Sequence, residues 1–194
     1  MQGDFEKHAH AIRTLGLEPV YVREPSQLVQ VSGLILPGGE STTMLRLLDW
    51  EKMFDPLVAF AREKPLLGTC AGCILMASEV ASPEQRSMRV IDMTVERNAY
   101  GRQVHSSIRR LDPQPAFVER AGPEALEAVF IRAPLIRRVG KDVRVLALDG
   151  SDPVLVEQGL HLAATFHPEL SGDTRIHRLF LDKVAESGRR KKSS

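Results

Sequence analysis

Apolar and polar positions follow two rhythms along the chain. Up to about residue 90, short apolar runs alternate with stretches in which apolar residues recur at helical spacing. That alternation predicts an α/β fold, with a mostly parallel central sheet flanked by helices. Asp4 stands where it can cap a helix that Gly16 stops. A strand is expected at residues 20–22 and a buried one at 33–36, closed by Pro37-Gly38-Gly39. Helices are expected around 42–48 and 53–63. Residues 65–68 read as a second buried strand running straight into Cys70, and 71–77 as helix.

Beyond residue 90 the period shortens. Segments 93–96, 107–111, 128–131, 143–148, 154–157 and 162–166 read as strands separated by turns too short for helical crossovers, so additional antiparallel strands are expected in the C-terminal half. A last helix over 174–185 puts Ile176, Leu179, Phe180 and Val184 on one face. No repeat or linker interrupts this pattern. We expect a single domain over residues 1–187, then a basic disordered tail over 188–194 in which Arg189-Arg190-Lys191-Lys192 lie among Gly and Ser.

Composition narrows the class. The chain has 194 residues, 43% hydrophobic and 26% charged, with a formal net charge of +1. That balance gives no electrostatic case for nucleic acid or a membrane surface. No apolar run approaches membrane-spanning length, and the two cysteines make no disulfide framework, so the default expectation is a reducing cytoplasm.

The candidate chemistry begins at Cys70. Gly68-Thr69-Cys70-Ala71-Gly72 has the form of a strand-to-helix elbow that lifts a nucleophile above a sheet. Glycines relieve the crowding of such a turn. A cysteine there meets the positive end of a helix dipole, which favours the thiolate, and the Ala71 amide can face a developing oxyanion. A buried structural cysteine is the plainer alternative. Cys70-Ala71-Gly72-Cys73 is also C-x-x-C, which admits a redox pair or, lacking further ligands, a poor half of a zinc site.

A cysteine nucleophile needs a base and an orienting group. Among the six histidines, His167 stands out. In Phe166-His167-Pro168-Glu169 an extended backbone would project His167 and Glu169 to one side, with Pro168 stiffening the segment; an ordinary surface pair is the alternative. His8 and His10 fall on the first helix. His105, His161 and His177 show no chemical neighbour in sequence and suit surface or structural roles. Pro37-Gly38-Gly39-Glu40-Ser41 ends a buried strand, where open α/β sheets bind ligands. The Gly39 amide can complete an oxyanion hole, and Glu40 and Ser41 can bind a zwitterion, or Ser41 can simply cap the next helix. No Gly-Lys-Ser/Thr follows, which excludes a P-loop.

Together these motifs resemble class I glutamine amidotransferases. With Val95-Glu96-Arg97-Asn98, Gly101-Arg102-Gln103 and Phe130-Ile131-Arg132-Ala133-Pro134, the chain is similar to the glutaminase subunits of pyridoxal 5′-phosphate synthases. The resemblance implies Cys70 as nucleophile, His167 as acid–base and Glu169 as its orienter. It implies a glutamine pocket of Gly39, Glu40, Ser41, Arg97, Ile131 and Arg132, with Gln2 near the oxyanion region and the partner surface. It further implies no metal or organic cofactor, and a (β/α)₈-barrel synthase that receives the ammonia and activates the glutaminase. Two departures stand out. Cys73 occupies a position usually aliphatic, where we expect an inert core residue. The chain also opens on Met1-Gln2, where relatives begin with an apolar strand, so we expect a natural start several residues upstream or a poorly stable chain. The competing readings are a glutaminase serving another pathway, such as an imidazole glycerol phosphate synthase, a C-x-x-C disulfide oxidoreductase, and a non-catalytic binding subunit.

Overall fold

The computed structural model describes residues 4–97 and 106–192. In chain order the first half contains α1 (Phe5–Thr14), β1 (Leu34–Leu36), α2 (Ser41–Trp50), α3 (Phe54–Ala61), β2 (Leu66–Thr69), α4 (Ala71–Met76), β3 (Ala77–Ala81) and β4 (Ile91–Glu96). The second half contains β5 (Ser106–Leu111), α5 (Pro115–Ala121), β6 (Leu126–Ile131), β7 (Leu135–Val139), β8 (Arg144–Asp149), β9 (Asp152–Gln158), β10 (His161–Ala164) and α6 (Arg175–Lys192).

The central sheet has the order β1-β2-β10-β9-β8. Its first three strands are parallel, with Leu36 opposite Gly68 and Ala164 opposite Thr69; β9 and β8 continue it antiparallel. The α/β architecture with added antiparallel strands therefore stands as the sequence pattern implies. Side chains alternate across the pleat: Leu66 and Ala163 join a core with Met44, Leu57 and Met76, while Leu67, Leu162 and Ala164 join another with Phe117, Phe130, Phe166 and Phe180. A strand buried on both faces reads as a continuous apolar run, which is why β1 and β2 are visible in the sequence.

Several elements differ from expectation. Residues 20–22 are irregular, because among the described residues no strand lies alongside to share a ladder with them. They line an apolar cleft of about 530 Å³ between α1, β1 and α6. Asp4 occupies the N-cap of α1 but makes no side-chain cap hydrogen bond, and Glu40, not Ser41, caps α2. The strands β3 and β7 and the helix α5 were unforeseen. β3 and β7 flank β4 in a separate three-stranded sheet, so tertiary pairing rather than local pattern selects them. α6 runs on to Lys192, through the segment expected to be a disordered tail. Arg and Lys are good helix formers and suit the negative end of the helix dipole.

What this fold does for function lies at one sheet edge. β1, β2 and β10 run parallel and finish level with one another, so the segments that follow them converge: Pro37–Ser41 after β1, Cys70 after β2 and Thr165–Glu169 after β10.

Candidate active site

Cys70 turns the chain from β2 into α4 with φ of 48° and ψ of −103°. Positive φ is strained for a residue with a side chain and persists only where its surroundings enforce it. The surroundings are visible. The Cys70 N–H donates to the Ala164 carbonyl at 2.9 Å. A Cβ on Gly68 would meet the Met76 sulfur and the Gly72 backbone, and one on Gly72 would strike the Leu36 carbonyl. Both flanking glycines are therefore required by close packing. The Cys70 side chain lies 3.9 Å from the Ile131 carbonyl.

His167 faces this sulfur. Its backbone N–H donates to the Val129 carbonyl at 2.8 Å, and its ring packs over Gly38, where no side chain would fit. Nδ1 lies 2.8 Å from Glu169 Oε1. The two residues meet through a 3₁₀ turn, Pro168–Leu170, rather than along the extended strand expected from their spacing; Pro168 takes its first position, where no N–H is needed. Burial alone would depress the His167 pKa, but hydrogen bonds to the Cys70 and Glu169 side chains outweigh it and raise it to about 10. The imidazole thus lies between a sulfur and a buried carboxylate, both of which favour its charged form.

A cleft of about 370 Å³ opens on this pair. Its lining includes Gly39, Glu40, Ser41, Arg97, Ile131 and Arg132, every residue expected in the pocket, together with Cys70 and His167. Gly39 and Arg132 both carry positive φ, at 141° and 45°. Glu40 also caps α2: its carboxylate accepts from the Thr42 N–H at 3.0 Å and the Thr43 N–H at 2.7 Å. Slight burial opposes its ionisation, but these bonds and those to the threonine hydroxyls lower its pKa to about 2. Arg97 leans on the same segment, 2.7 Å from Thr42 Oγ1 and 3.4 Å from Glu40 Oε1. Ser41 Oγ donates to Gln85 Oε1 at 3.0 Å. Ala71 follows Cys70 as the first residue of α4. Gln2, Asn98, Gly101, Arg102, Gln103 and His105 lie outside the described residues.

Cys73 is fully buried, and burial followed by the nearby Cys70 pushes its thiol far above the usual range. A thiol kept neutral and shielded from solvent is a poor resolving partner for a disulfide. Among the described residues no group of His, Cys, Asp or Glu could hold a metal ion, and no helix is long and apolar enough to cross a membrane.

Two histidines read in the sequence only as a helical residue and a surface or structural one come together beside the site. His8 on α1 and His177 on α6 are buried behind Glu169, with His8 Nδ1 2.9 Å from His177 Nε2. His8 shares the inner face of its helix with Ala11 and Ile12. A histidine on an apolar helical face was the available signal.

Comparison with known proteins gives the family. The chain is 57% identical over 184 residues to the pyridoxal 5′-phosphate synthase subunit PdxT of Solibacter usitatus (strain Ellin6076), covering 95% of this chain and 96% of that protein. It is 48% identical to the protein of the same name from Koribacter versatilis (strain Ellin345), covering 95% and 92%. A crystal structure of a glutamine amidotransferase superposes with a TM-score of 0.85 at 44% identity, covering 95% of each chain. The SNO glutamine amidotransferase family matches residues 1–186, and the chain belongs to that family.

Proposed function

We propose that this chain, as one amidotransferase domain working in the cytoplasm, hydrolyses the side-chain amide of L-glutamine and passes the ammonia to a (β/α)₈-barrel pyridoxal 5′-phosphate synthase. The observation that carries the chemistry is the Cys70 elbow opening on a cleft beside the His167 ring, which Glu169 anchors at 2.8 Å. The names of the relatives, subunits of pyridoxal 5′-phosphate synthase in organism after organism, support the pathway over other amidotransferase routes.

In this mechanism the Cys70 thiolate attacks the carboxamide carbon, and the backbone amides of Gly39 and Ala71 receive the oxyanion. His167 gives its proton to the nitrogen as the C–N bond breaks, so ammonia leaves and a glutamyl thioester remains. His167 then takes a proton from water, whose oxygen attacks the thioester carbon; glutamate departs and the thiolate returns. Glu169 keeps the imidazole oriented and stabilises its charged form. In the cleft, Arg97 and Arg132 suit the substrate carboxylate and Glu40 its ammonium, a match for a zwitterion.

With the synthase present, Cys70→Ala and His167→Ala should each abolish ammonia release from glutamine. Wild-type rates in Cys70→Ala would refute the assignment. A C-x-x-C oxidoreductase would instead lose function equally in Cys73→Ala.

A further inference from the structure

Glu169 is a buried carboxylate with its side chain fully shielded from solvent, yet only one of its oxygens is engaged. Oε1 takes the His167 Nδ1–H, while Oε2 has no hydrogen-bond partner among the described residues. A carboxylate oxygen left unmatched away from water is costly. His8 Nε2 lies 3.3 Å from that oxygen and 3.2 Å from Thr69 Oγ1. The two oxygens stand at nearly the same distance from Nε2, so a hydrogen carried there has the carboxylate within reach as well as the hydroxyl.

The tautomer follows from the surroundings. Were His8 protonated on Nδ1, its Nε2 lone pair, even while accepting from the Thr69 hydroxyl, would still face an anionic oxygen at 3.3 Å, and His177, accepting at Nε2, would carry its hydrogen on Nδ1. That Nδ1 is buried without a hydrogen-bond partner among the described residues. With the hydrogen on His8 Nε2, both conflicts vanish: His177 Nε2–H donates to His8 Nδ1 at 2.9 Å, and only a lone pair of His177 is left unmatched. The charged and titratable groups facing His8 are His177 from α6, His167 from the segment after β10 and Glu169 from the 3₁₀ turn. Burial, then His177 and His167, keeps the His8 ring neutral, and burial likewise lowers His177 to about 4. Two neutral rings thus form a strut from α6 through α1 to Glu169.

We propose that His8 is a positioning residue for the reaction, its Nε2–H holding the Glu169 oxygen that His167 does not use, with His177 fixing the His8 tautomer from behind. His8 touches no reacting atom; it acts through Glu169 on the orientation and charge of His167. The proposal rests on the triad reading above.

The test uses the full chain in complex with its synthase. Glutamine places its amide nitrogen near the position of Nε2, asparagine near that of Nδ1. His8→Gln should therefore keep kcat for ammonia release within roughly threefold of wild type, while His8→Asn and His8→Leu lose roughly 10- to 100-fold, the span of one hydrogen bond to a charged group. KM for glutamine should hardly move. A second readout is the NMR titration of the His167 ring in the free chain, which should shift in His8→Asn and His8→Leu and return in His8→Gln. Should His8→Leu fail to fold, the Gln–Asn pair decides, since both keep an amide. Equal activity in that pair, or an unmoved His167 titration, would overturn the proposal and leave His8 a core residue. Failure of the triad reading looks different: Cys70→Ala would stay active whatever happens at position 8.

Discussion

Replacing Gly38 with alanine adds one methyl group where the structure has no room. A Cβ there would sit 3.0 Å from His167 Nδ1 and closer still to the neighbouring ring carbon. Non-bonded heavy atoms rest at about 3.5–4.0 Å, so the ring must retreat by on the order of 1 Å. It cannot do so freely, because Nδ1 is tied to Glu169 at 2.8 Å and its backbone N–H to Val129 at 2.8 Å. A misplacement of about 1 Å at a reacting group costs roughly 10²-fold in rate. Gly38 is absent from the residues with positive φ, so the backbone itself accepts alanine and the chain should fold. Ammonia release from glutamine, measured with the synthase present and paired with a thermal melt, should show kcat down by about two orders of magnitude and a cooperative transition intact. A kcat within roughly threefold of wild type would refute the view that Gly38 exists to seat the imidazole.

Four further outcomes follow from the same geometry. The His167 ring should titrate near 10 by NMR, and lower in Cys70→Ala, which removes one of its two supporting partners. Because the folded pKa lies above the unfolded value of about 6.5, this group's stabilising contribution is complete below that value and is lost as pH rises through about 10, so melts should weaken on the alkaline side. Glu40→Ala should lower stability by about 0.5–2 kcal/mol through the lost cap of α2 and raise KM for glutamine more than it lowers kcat, read by denaturant titration and steady-state kinetics. Cys73→Ala, at a position without solvent contact, should retain glutaminase activity within about twofold of wild type while melting at a lower temperature, since it removes only a buried sulfur; loss of turnover would show a chemical role for that thiol.

The sequence carried the parts of the fold whose signal is local. β1 and β2 are continuous apolar runs because they are covered on both faces, and their neighbouring helices show helical apolar spacing. β3 and β7 exist by pairing with β4, and nothing within Ala77–Ala81 or Leu135–Val139 announces that partner. Residues 20–22 show the converse: apolar, strand-like residues with no neighbouring ladder among the described residues stay irregular. Cys70, His167 and Glu169 were legible because each sits in a short motif whose spacing has a mechanical reason. Gly38 was legible only as part of the turn that closes β1, since contact with a histidine distant in sequence is what requires a glycine there. His8 was legible only as a helical residue; its closeness to Glu169 joins positions at opposite ends of the chain. Glu40 illustrates a third case, in which a residue read as a ligand for substrate also holds the helix that carries it.

The account depends on a covalent bond between Cys70 and the substrate acyl group. The synthase complex turning over glutamine, quenched in acid and analysed by peptide mass spectrometry, should show a glutamyl thioester on the peptide containing Cys70, with none formed by Cys70→Ala. Ammonia released at full rate with no such adduct trapped, or an adduct carried by Cys73 instead, would contradict it.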